Sequence, residues 1–437
     1  MRLDTSIDRL LGRGRLHPAL HIDEHGVVLG VITAIGDYQL VTSGGDLIGA
    51  EGAKSVLKFP PRSYAGLAGR WPEADLHDWV LTRTAPTFSD VLALLLHAFE
   101  RALEFPRREL RAVFAVWALS SYFFPLFLSF PRLALSGEKE SGKSKVLGVL
   151  RETAWNALLM LTPTPAVLFR LVSEFRPTLL LDEMEGLSGD DAREILAILN
   201  SGYKVGGAVP RCEGERTKRV ELFEVYAPTA MAAIRSLNTV TESRAIPVTM
   251  QRGTDASKLN AEIDPADPLY GRIRSGCYRL LLERWHSVQS ACQSTPIPPW
   301  LNGRARELWK PLLAVAAVAD AEDGLALTVD LHALAREHVE DREGASTEAE
   351  ALLALLADQL GSTDRLTVRP GDLREALRDR LGWRDSPSAE AVGSWLRRLG
   401  FRRSTKDRQR ARYEIARSTL HEVAARYGST VVEEYIA

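Results

Sequence analysis

Short apolar runs bounded by Gly, Asp and Ser characterise the N-terminal part of the chain. The runs at 26–32 and 38–41 have the length and flanking residues that are typical of β-strands. Apolar residues recur at helical spacing over 91–99, and Ser89 can cap the start of that helix. The pattern therefore predicts a β-rich domain over 1–88, followed by helices.

Strands and helices alternate in the next part of the chain. A second helix is predicted over about 108–123, and 132–136 is a short apolar run that predicts a strand. Alternation of this kind indicates an α/β fold in which helices cover a mainly parallel sheet. We expect this core to span 89–254 and a mostly helical region to follow over 255–343.

A smaller C-terminal domain is expected over 344–437. A charged connector that contains glycine, 341–346, precedes it. Amphipathic helices are predicted at 372–381 and 388–399, and basic strands around a polar turn at 401–415. Two helices followed by a basic hairpin are the pattern of a winged helix-turn-helix.

Composition narrows the class of protein. The chain has 437 residues, of which 45% are hydrophobic and 26% charged, so two or three globular domains are expected. The formal net charge of −2 means that any nucleic-acid surface must come from local clusters of basic residues. The three cysteines are far apart and lack the paired spacing of a zinc site, which favours the reducing cytoplasm.

One uncharged stretch, 112–131, is long enough to cross a membrane. Pro125 and Pro131 interrupt it, and it leads directly into a glycine-rich loop that must face water. A buried helix is therefore the favoured interpretation, with a membrane span as the alternative. The N-terminus has no apolar core of the kind found in signal peptides.

A phosphate-binding loop is predicted after the 132–136 strand. Its residues are Gly137, Glu138, Lys139, Glu140, Ser141, Gly142, Lys143 and Ser144. They fit the pattern of glycine, four residues, then Gly-Lys-Ser, in which curled backbone amides and a helix N-terminus face phosphate oxygens. Lys143 would contact the β- and γ-phosphates, and the Ser144 hydroxyl would bind Mg²⁺.

Two acids at the end of a downstream strand predict the second half of an ATP site. The apolar run 178–181 ends in Asp182 and Glu183. Asp182 is expected to hold Mg²⁺ with Ser144, and Glu183 to orient or deprotonate the attacking water. Taken alone, this pair could be the ordinary acidic end of a core strand. With the glycine loop upstream, it predicts an enzyme that binds ATP and Mg²⁺ and hydrolyses ATP.

Several runs, taken in order, resemble the AAA+-type ATPase domains of primase-helicase proteins encoded by prophages, plasmids and integrative elements. These runs are 136–144, 175–183, 199–203, 227–234, 241–247 and 304–313. The resemblance covers roughly 90–320 and implies a ring-shaped oligomer, usually a hexamer, with ATP at the subunit boundaries. It also implies that 255–343 forms a helical lid.

The resemblance further implies roles for arginines outside the loop. Arg244 would reach the γ-phosphate of a neighbouring subunit, where it would neutralise charge in the transition state; the alternative is a surface arginine that closes a turn. Arg304 and Arg306 are both candidates for the lid arginine that senses nucleotide. The polar sensor expected after the fourth core strand is not evident, because 233–236 has no asparagine.

Two basic clusters are candidates for nucleic-acid binding. The first surrounds a hairpin predicted near residue 214, and related ring helicases use such hairpins to grip one strand in the central pore. Its candidate phosphate contacts are Lys204, Arg211, Arg216 and Lys218. The second is the C-terminal segment, with Arg397, Arg398, Arg402, Arg403, Lys406, Arg408, Arg410 and Arg412. In both places a solvated basic surface is the alternative, and a winged helix also serves protein docking.

The sequence thus predicts an ATP-dependent DNA helicase of a mobile genetic element that acts as a homo-oligomer on single-stranded or forked DNA. A primase or polymerase partner is left open by the resemblance. Two other classes stay open: a DNA-bound initiator or helicase loader that does not unwind DNA, and a protein-remodelling ATPase. Remodelling enzymes normally carry an aromatic-hydrophobic pair in the pore loop, which Tyr203 followed by Lys204 fits less well.

Overall fold

The computed structural model forms two compact units, residues 1–338 and 339–437. It describes residue 7 and residues 10–105, 107–161, 163–184, 189–213, 219–233, 239–344, 347–404 and 412–426. Among these residues, none of the helices combines the length and the apolar character that a membrane span requires. The same residues contain no group of three or more His, Cys, Asp or Glu side chains that could hold a metal ion.

The N-terminal part of the first unit is a four-stranded antiparallel sheet in chain order. Its elements are β1 (Leu20–Asp23), β2 (Gly26–Ile32), β3 (Tyr38–Thr42), β4 (Leu47–Gly49) and a short helix, α1 (Ala50–Ala53). Val28, Leu40 and Ile48 form its core. The strands expected at 26–32 and 38–41 are confirmed. The short apolar runs did not indicate α2 (Glu73–Thr82), which follows.

Two helices, α3 (Phe88–Ala102) and α4 (Arg108–Ser120), lead into the central sheet. The expectation that Ser89 caps α3 is wrong. Thr87 and Asp90 form a capping box, in which Asp90 N donates to Thr87 Oγ1 at 3.0 Å and Thr87 N to Asp90 Oδ2 at 3.1 Å. The Ser89 hydroxyl instead donates to the carbonyl of Ala319, which anchors α3 to a helix far along the chain.

The central sheet contains five parallel strands, which confirms the α/β prediction. The elements in chain order are β5 (Arg132–Ser136), α5 (Lys143–Thr153), β6 (Leu158–Met160), α6 (Pro165–Phe175), β7 (Leu179–Leu181), α7 (Gly189–Ser201), β8 (Ala208–Glu213), β9 (Arg219–Glu224), β10 (Thr229–Ala232), α8 (Thr239–Glu242), β11 (Ala245–Thr249) and α9 (Ala256–Leu259). The spatial order is β11, β5, β10, β7, β6, so β10 lies between β5 and β7. β8 and β9 form a separate antiparallel hairpin, as predicted.

Three long helices complete this region: α10 (Pro268–Ser294), α11 (Gly303–Asp323) and α12 (Leu327–Gly344). α10 packs on α3, and α11 packs on both α3 and α4. The region expected to be a lid thus shares one helical layer with helices that precede the sheet. The connector expected at 341–346 is wrong in part, because α12 continues to Gly344.

The second unit has the order helix, strand, two helices, strand, helix. Its elements are α13 (Thr347–Leu360), β12 (Arg365–Val368), α14 (Arg374–Leu381), α15 (Ala389–Arg398), β13 (Tyr413–Ala416) and α16 (Arg417–Arg426). β12 pairs antiparallel with β13, and Ser404 N donates to the Arg412 carbonyl at the stem of the basic segment. The two helices expected at 372–381 and 388–399 are confirmed within a few residues.

Candidate nucleotide-binding site

The loop between β5 and α5 adopts a backbone that its glycines permit. Gly137 has φ of 143° and Gly142 has φ of 89°, values that side-chain-bearing residues rarely adopt. A Cβ on Gly137 would lie 2.4 Å from the carbonyl oxygen of Met250, so the close approach also requires glycine. Glu140 is in the left-handed region too, at φ of 63°. Three left-handed residues in six curl the chain tightly before α5 begins.

Lys143 is the first residue of α5, and its ammonium points back into this loop. Its Nζ donates to the carbonyls of Gly137 at 2.7 Å and Glu138 at 2.8 Å, and to Ser141 Oγ at 3.3 Å. The amides of the first turn of α5 lack helical acceptors and carry the positive end of the helix dipole. Ser144 is exposed in the same turn. Ammonium, free amides and hydroxyl together form a surface suited to phosphate oxygens.

Asp182 and Glu183 follow β7 at the same edge of the sheet as the loop, because β5, β10 and β7 run parallel. Strands are spaced by about 4.8 Å, so the intervening β10 sets the two segments roughly 10 Å apart. The Glu183 amide donates to Asp182 Oδ1 at 2.9 Å. Glu183 has φ of 54°, a left-handed conformation that is uncommon without glycine and often found at functional sites.

The oxygen donors near the loop suit a hard divalent cation. Mg²⁺ prefers carboxylate, hydroxyl, phosphate and water oxygens. The half-buried Asp182 and the exposed Ser144 lie at the same sheet edge. A metal shared with phosphate oxygens would fit this donor set. The predicted sensor segment after β10 also begins here, since Ala233 N donates to the Leu135 carbonyl at 2.9 Å, but Ile234, Arg235 and Ser236 lie outside the described residues.

A cleft of about 470 Å³ opens beside the loop, and the sequence did not indicate it. Besides the loop, its lining residues are Ala102, Leu103, Glu104, Lys145, Gln251, Arg252, Gly253, Lys258 and Leu259. Glu104 accepts hydrogen bonds from the amides of Thr254 at 2.6 Å and Asp255 at 2.8 Å. Lys145 Nζ donates to the Leu259 carbonyl at 2.8 Å. Three segments that are distant in sequence thus meet around a partly apolar cleft, which no local pattern reveals.

Arg244 lies at the opposite edge of the sheet from the loop. It directly precedes β11, and Arg132, the first residue of β5, donates its amide to the Arg244 carbonyl. β5 has five residues, so about 16 Å of strand separates this amino edge from the glycine loop. The structure therefore does not bring Arg244 to the loop of its own chain, and a contact with γ-phosphate would need a second copy.

The two candidate lid arginines also lie away from the loop. Arg304 pairs with Glu307 at 3.2 Å, and its guanidinium carbon stands 5.1 Å from the centre of the Tyr203 ring. The backbone carbonyl of Tyr203 accepts a hydrogen bond from the amide of Phe130, which lies just before β5. Arg304, Glu307 and Tyr203 therefore lie at the amino edge of the sheet. Arg306 is exposed in the same turn of α11. A role as sensor within the same chain gains no support from this placement.

The candidate DNA contacts near the hairpin separate into two places. Lys204 precedes the hairpin, and its backbone forms an isolated antiparallel β-bridge with Ser129. Its ammonium pairs with Glu307 at 2.9 Å. Arg211 is on β8, where it pairs with Glu194 and lies over the ring of Phe169 at 4.8 Å. Arg216 and Lys218 lie outside the described residues. The contacts of all four with DNA stay predictions.

The C-terminal arginines are mostly on the surface. Arg397, Arg398, Arg402, Arg403 and Arg412 are exposed on the last turn of α15 and on the stem of the basic segment. Arg397 donates to the Tyr413 hydroxyl at 3.4 Å. Lys406, Arg408 and Arg410 lie outside the described residues. Exposed guanidinium groups around one helix end suit a phosphate backbone, but DNA binding stays a prediction.

Comparison with known protein families and with curated proteins finds no match to this chain. Among solved structures, the chain is similar to the active helicase Cch of SCCmec type IV, with 12% identity over 95% of this chain and 80% of that one and a TM-score of 0.43. It is also similar to the apo A form of the NrS-1 C-terminal region, with 10% identity over 89% and 96% and a TM-score of 0.36, and to JCV helicase, with 14% identity over 56% and 65% and a TM-score of 0.27. Similarity at this level assigns no family, and the function is inferred from the chain's own residues.

Proposed function

We propose that the chain is an Mg²⁺-dependent P-loop ATPase of AAA+ type. The observation that carries this proposal is the meeting of the Lys143 loop and the Asp182-Glu183 strand end at one sheet edge, with β10 between them. The spacing of roughly 10 Å leaves room for a terminal phosphate and a water between the two segments.

Each part of the site has a separate role in the proposed reaction. The loop amides and Lys143 bind the β- and γ-phosphates, and the cleft beside Leu103 and Leu259 receives the nucleoside. Mg²⁺, held with the nucleotide by Ser144 and Asp182, would neutralise phosphate charge. Glu183 takes a proton from the attacking water or orients it, and its exposure leaves its carboxylate free to approach the nucleotide from the β7 side.

The proposal includes a ring of copies, because Arg244 lies at the edge opposite the loop. A loop edge that faces the amino edge of the next copy is a head-to-tail interface, which closes into a ring when the rotation allows. In that arrangement Arg244 completes the site of its neighbour.

The ring would move single-stranded DNA as a helicase of a mobile genetic element, with the β8–β9 hairpin in the pore and a winged helix in the second unit engaging DNA. Support comes from the hairpin before β10 and the exposed arginines around α15. ATP hydrolysis should rise several-fold or more with single-stranded DNA, and the protein should displace a strand from a forked duplex.

The test compares the wild-type chain with Lys143→Ala, which should lose both activities, and with Lys54→Ala. Lys54 is an exposed lysine paired with Glu51 on the N-terminal domain, so its loss controls for a simple change of charge. Hydrolysis that is independent of DNA, without strand displacement, would sink the helicase proposal and leave an initiator, loader or remodelling ATPase. Absence of any ATP hydrolysis would sink the ATPase proposal itself.

A further inference from the structure

A short segment after β11 covers one side of the glycine loop. The Met250 amide donates to the Ser136 carbonyl at 2.8 Å, and Lys145 Nζ donates to the Leu259 carbonyl at 2.8 Å. In the sheet, β11 lies beside β5 on the side away from β10 and β7. The loop therefore has residues 250–259 on one flank and the Asp182-Glu183 pair on the other.

An ion pair joins this segment to the loop. Arg252 Nη2 lies 2.6 Å from Glu140 Oε2, and both residues line the cleft of about 470 Å³ that receives the nucleoside in the proposed function. Each of the two side chains is 69% exposed, so the pair can open without disturbing the core. Exposed ion pairs are weak, because water screens the two charges. The contact is therefore one that a more highly charged partner can replace.

The four cations that line the cleft differ in what they contact. The three lysines donate to backbone carbonyls: Lys143 to Gly137 and Glu138, Lys145 to Lys258 and Leu259, and Lys258 to Glu100. Among the residues that the structure describes, Arg252 is the one cation of the four that pairs with a carboxylate. Carbonyls carry no net charge, so the lysines keep their positive charge, whereas Glu140 cancels that of Arg252. A polyanion in the cleft thus competes with one loop residue for one arginine.

We propose that Arg252 binds the diphosphate portion that ATP and ADP share, in the site of its own chain, and that Glu140 competes with those phosphates for the guanidinium. The inference rests on the proposed ATPase function. Hydrolysis there takes place on the β7 side, so an arginine on the β11 side is nearer the phosphates next to the nucleoside. A guanidinium can bind phosphate oxygens through two parallel hydrogen bonds, which favours the exchange. Glu140, which the sequence pattern places among the phosphate-binding residues, thus restrains nucleotide binding.

Equilibrium titration of the full-length protein with Mg²⁺ and either ADP or a non-hydrolysable ATP analogue tests the role of Arg252. Arg252→Gln should weaken the binding of both nucleotides by the same factor, about 5–10-fold, because both carry the same two phosphates. Arg62→Gln is the matched control. It removes an arginine of similar exposure, 68%, that pairs with Glu174 outside the cleft, and it should keep the wild-type affinities.

The loop acid provides a second comparison in the same titrations. Glu140→Gln should tighten the binding of both nucleotides about 2–5-fold, because Arg252 no longer has a competing partner. Glu138→Gln removes the same charge from the same loop, but Glu138 is exposed and outside the ion pair with Arg252. Its smaller gain measures the general loss of negative charge near the phosphates. The additional gain of Glu140→Gln should vanish when Arg252→Gln is also present.

These results together support the proposal. It is overturned if Arg252→Gln binds both nucleotides as the wild-type chain does, or if Glu140→Gln and Glu138→Gln change the affinities equally. A loss confined to the ATP analogue would place Arg252 on the terminal phosphate, and an additional gain from Glu140→Gln that persists beside Arg252→Gln would remove the competition; either result overturns the proposal. A wild-type protein that binds neither nucleotide would refute the proposed function itself, which the wild-type titration shows separately.

Discussion

At the carboxyl edge of the parallel sheet, the groups suited to binding and hydrolysing a nucleotide come from two short segments. These are the glycine loop and the Asp182-Glu183 pair. At the amino edge, the basic groups come from four separate places along the chain, near residues 132, 204, 244 and 304. Under the proposed function, the carboxyl edge supplies the phosphate-binding loop and the base, and the amino edge supplies added positive charge. The two halves of the site would then meet only where the loop of one copy faces the amino edge of another copy.

The largest expected effect comes from replacing Glu183, the proposed base at the carboxyl edge. Glu183→Gln keeps the shape of the side chain but removes its ability to accept a proton, so ATP turnover should fall by about 10²-fold or more. ATP affinity should change little, because the loop proposed to bind the phosphates is untouched. Steady-state turnover and equilibrium ATP binding measure the two quantities. Glu51→Gln, at an exposed pair with Lys54, is the control; a Glu183→Gln protein with wild-type turnover would remove Glu183 from the site.

The carboxyl edge could be predicted because its chemistry is local. A glycine loop and a strand that ends in acidic residues can both be recognised as short sequence motifs, since their backbone geometry depends on adjacent residues. The cleft beside Leu103 and Leu259 was not predicted, because it exists only where three segments meet. The interpretation of Arg304 as a lid residue came from a motif position, whereas its contact with Tyr203 depends on how α11 packs. Strand order and helix packing are set by the whole core, and the sequence patterns fixed neither.

The second expected effect concerns the backbone of the loop. Gly137→Ala adds a Cβ that would lie 2.4 Å from the Met250 carbonyl oxygen, at φ of 143°, so the loop must distort. We expect ATP affinity to fall at least ~10-fold, because the amides no longer converge on phosphate. Gly324→Ala is the matched control: its φ is 64°, and its added Cβ meets no atom within 4 Å. That variant should lose about 1–2 kcal/mol of stability and no affinity. Equal affinities of both variants for ATP, measured by titration, would contradict the assigned loop geometry.

The third expected effect tests whether Arg132 at the amino edge is retained for function or for stability. Arg132→Met replaces a buried charge, whose Nε has no hydrogen-bond partner among the residues that the structure describes, with an apolar side chain of similar length, a change that is often neutral for stability. Thermal unfolding should therefore change little, while ATP turnover should fall several-fold, because Arg244, proposed to act on a neighbouring site, loses a charged neighbour. Leu133→Ala, one residue further along β5 and fully buried, should instead cost about 2–5 kcal/mol. If Arg132→Met destabilises as much as Leu133→Ala, the arginine is structural.

The smallest expected effect lies at the amino edge next to β7, which the N-terminal domain covers. There Glu224 accepts from Lys58 Nζ and Arg176 Nη2, each at 2.8 Å, and Arg176 also donates to the Leu20 carbonyl. Burial raises the pKa of Glu224, but these two cations outweigh it and lower the pKa to about 2. Because the folded pKa is below the unfolded value of 4.5, the stabilisation is present above that value and is lost as pH falls towards 2.

Since the Glu224 side chain is 43% exposed, solvent screens the pairs and the contribution should be only about 1 kcal/mol at neutral pH. Glu224→Gln should therefore lower the unfolding temperature by about 1 °C at neutral pH and by clearly less at about pH 3, where Glu224 is protonated in the unfolded chain but still mostly ionised in the folded one. Thermal unfolding of both proteins at the two pH values measures the difference, and Glu51→Gln again supplies the exposed control. A difference that persists undiminished in acid would mean that Glu224 stabilises the protein through packing and not through charge. The N-terminal domain would then be held against the amino edge next to β7 by packing alone. A difference that shrinks as expected would show that ion pairs within one chain hold the N-terminal domain against this part of the edge. The basic groups near residues 132, 204, 244 and 304 differ, because no domain of the same chain pairs with all of their charges among the residues that the structure describes.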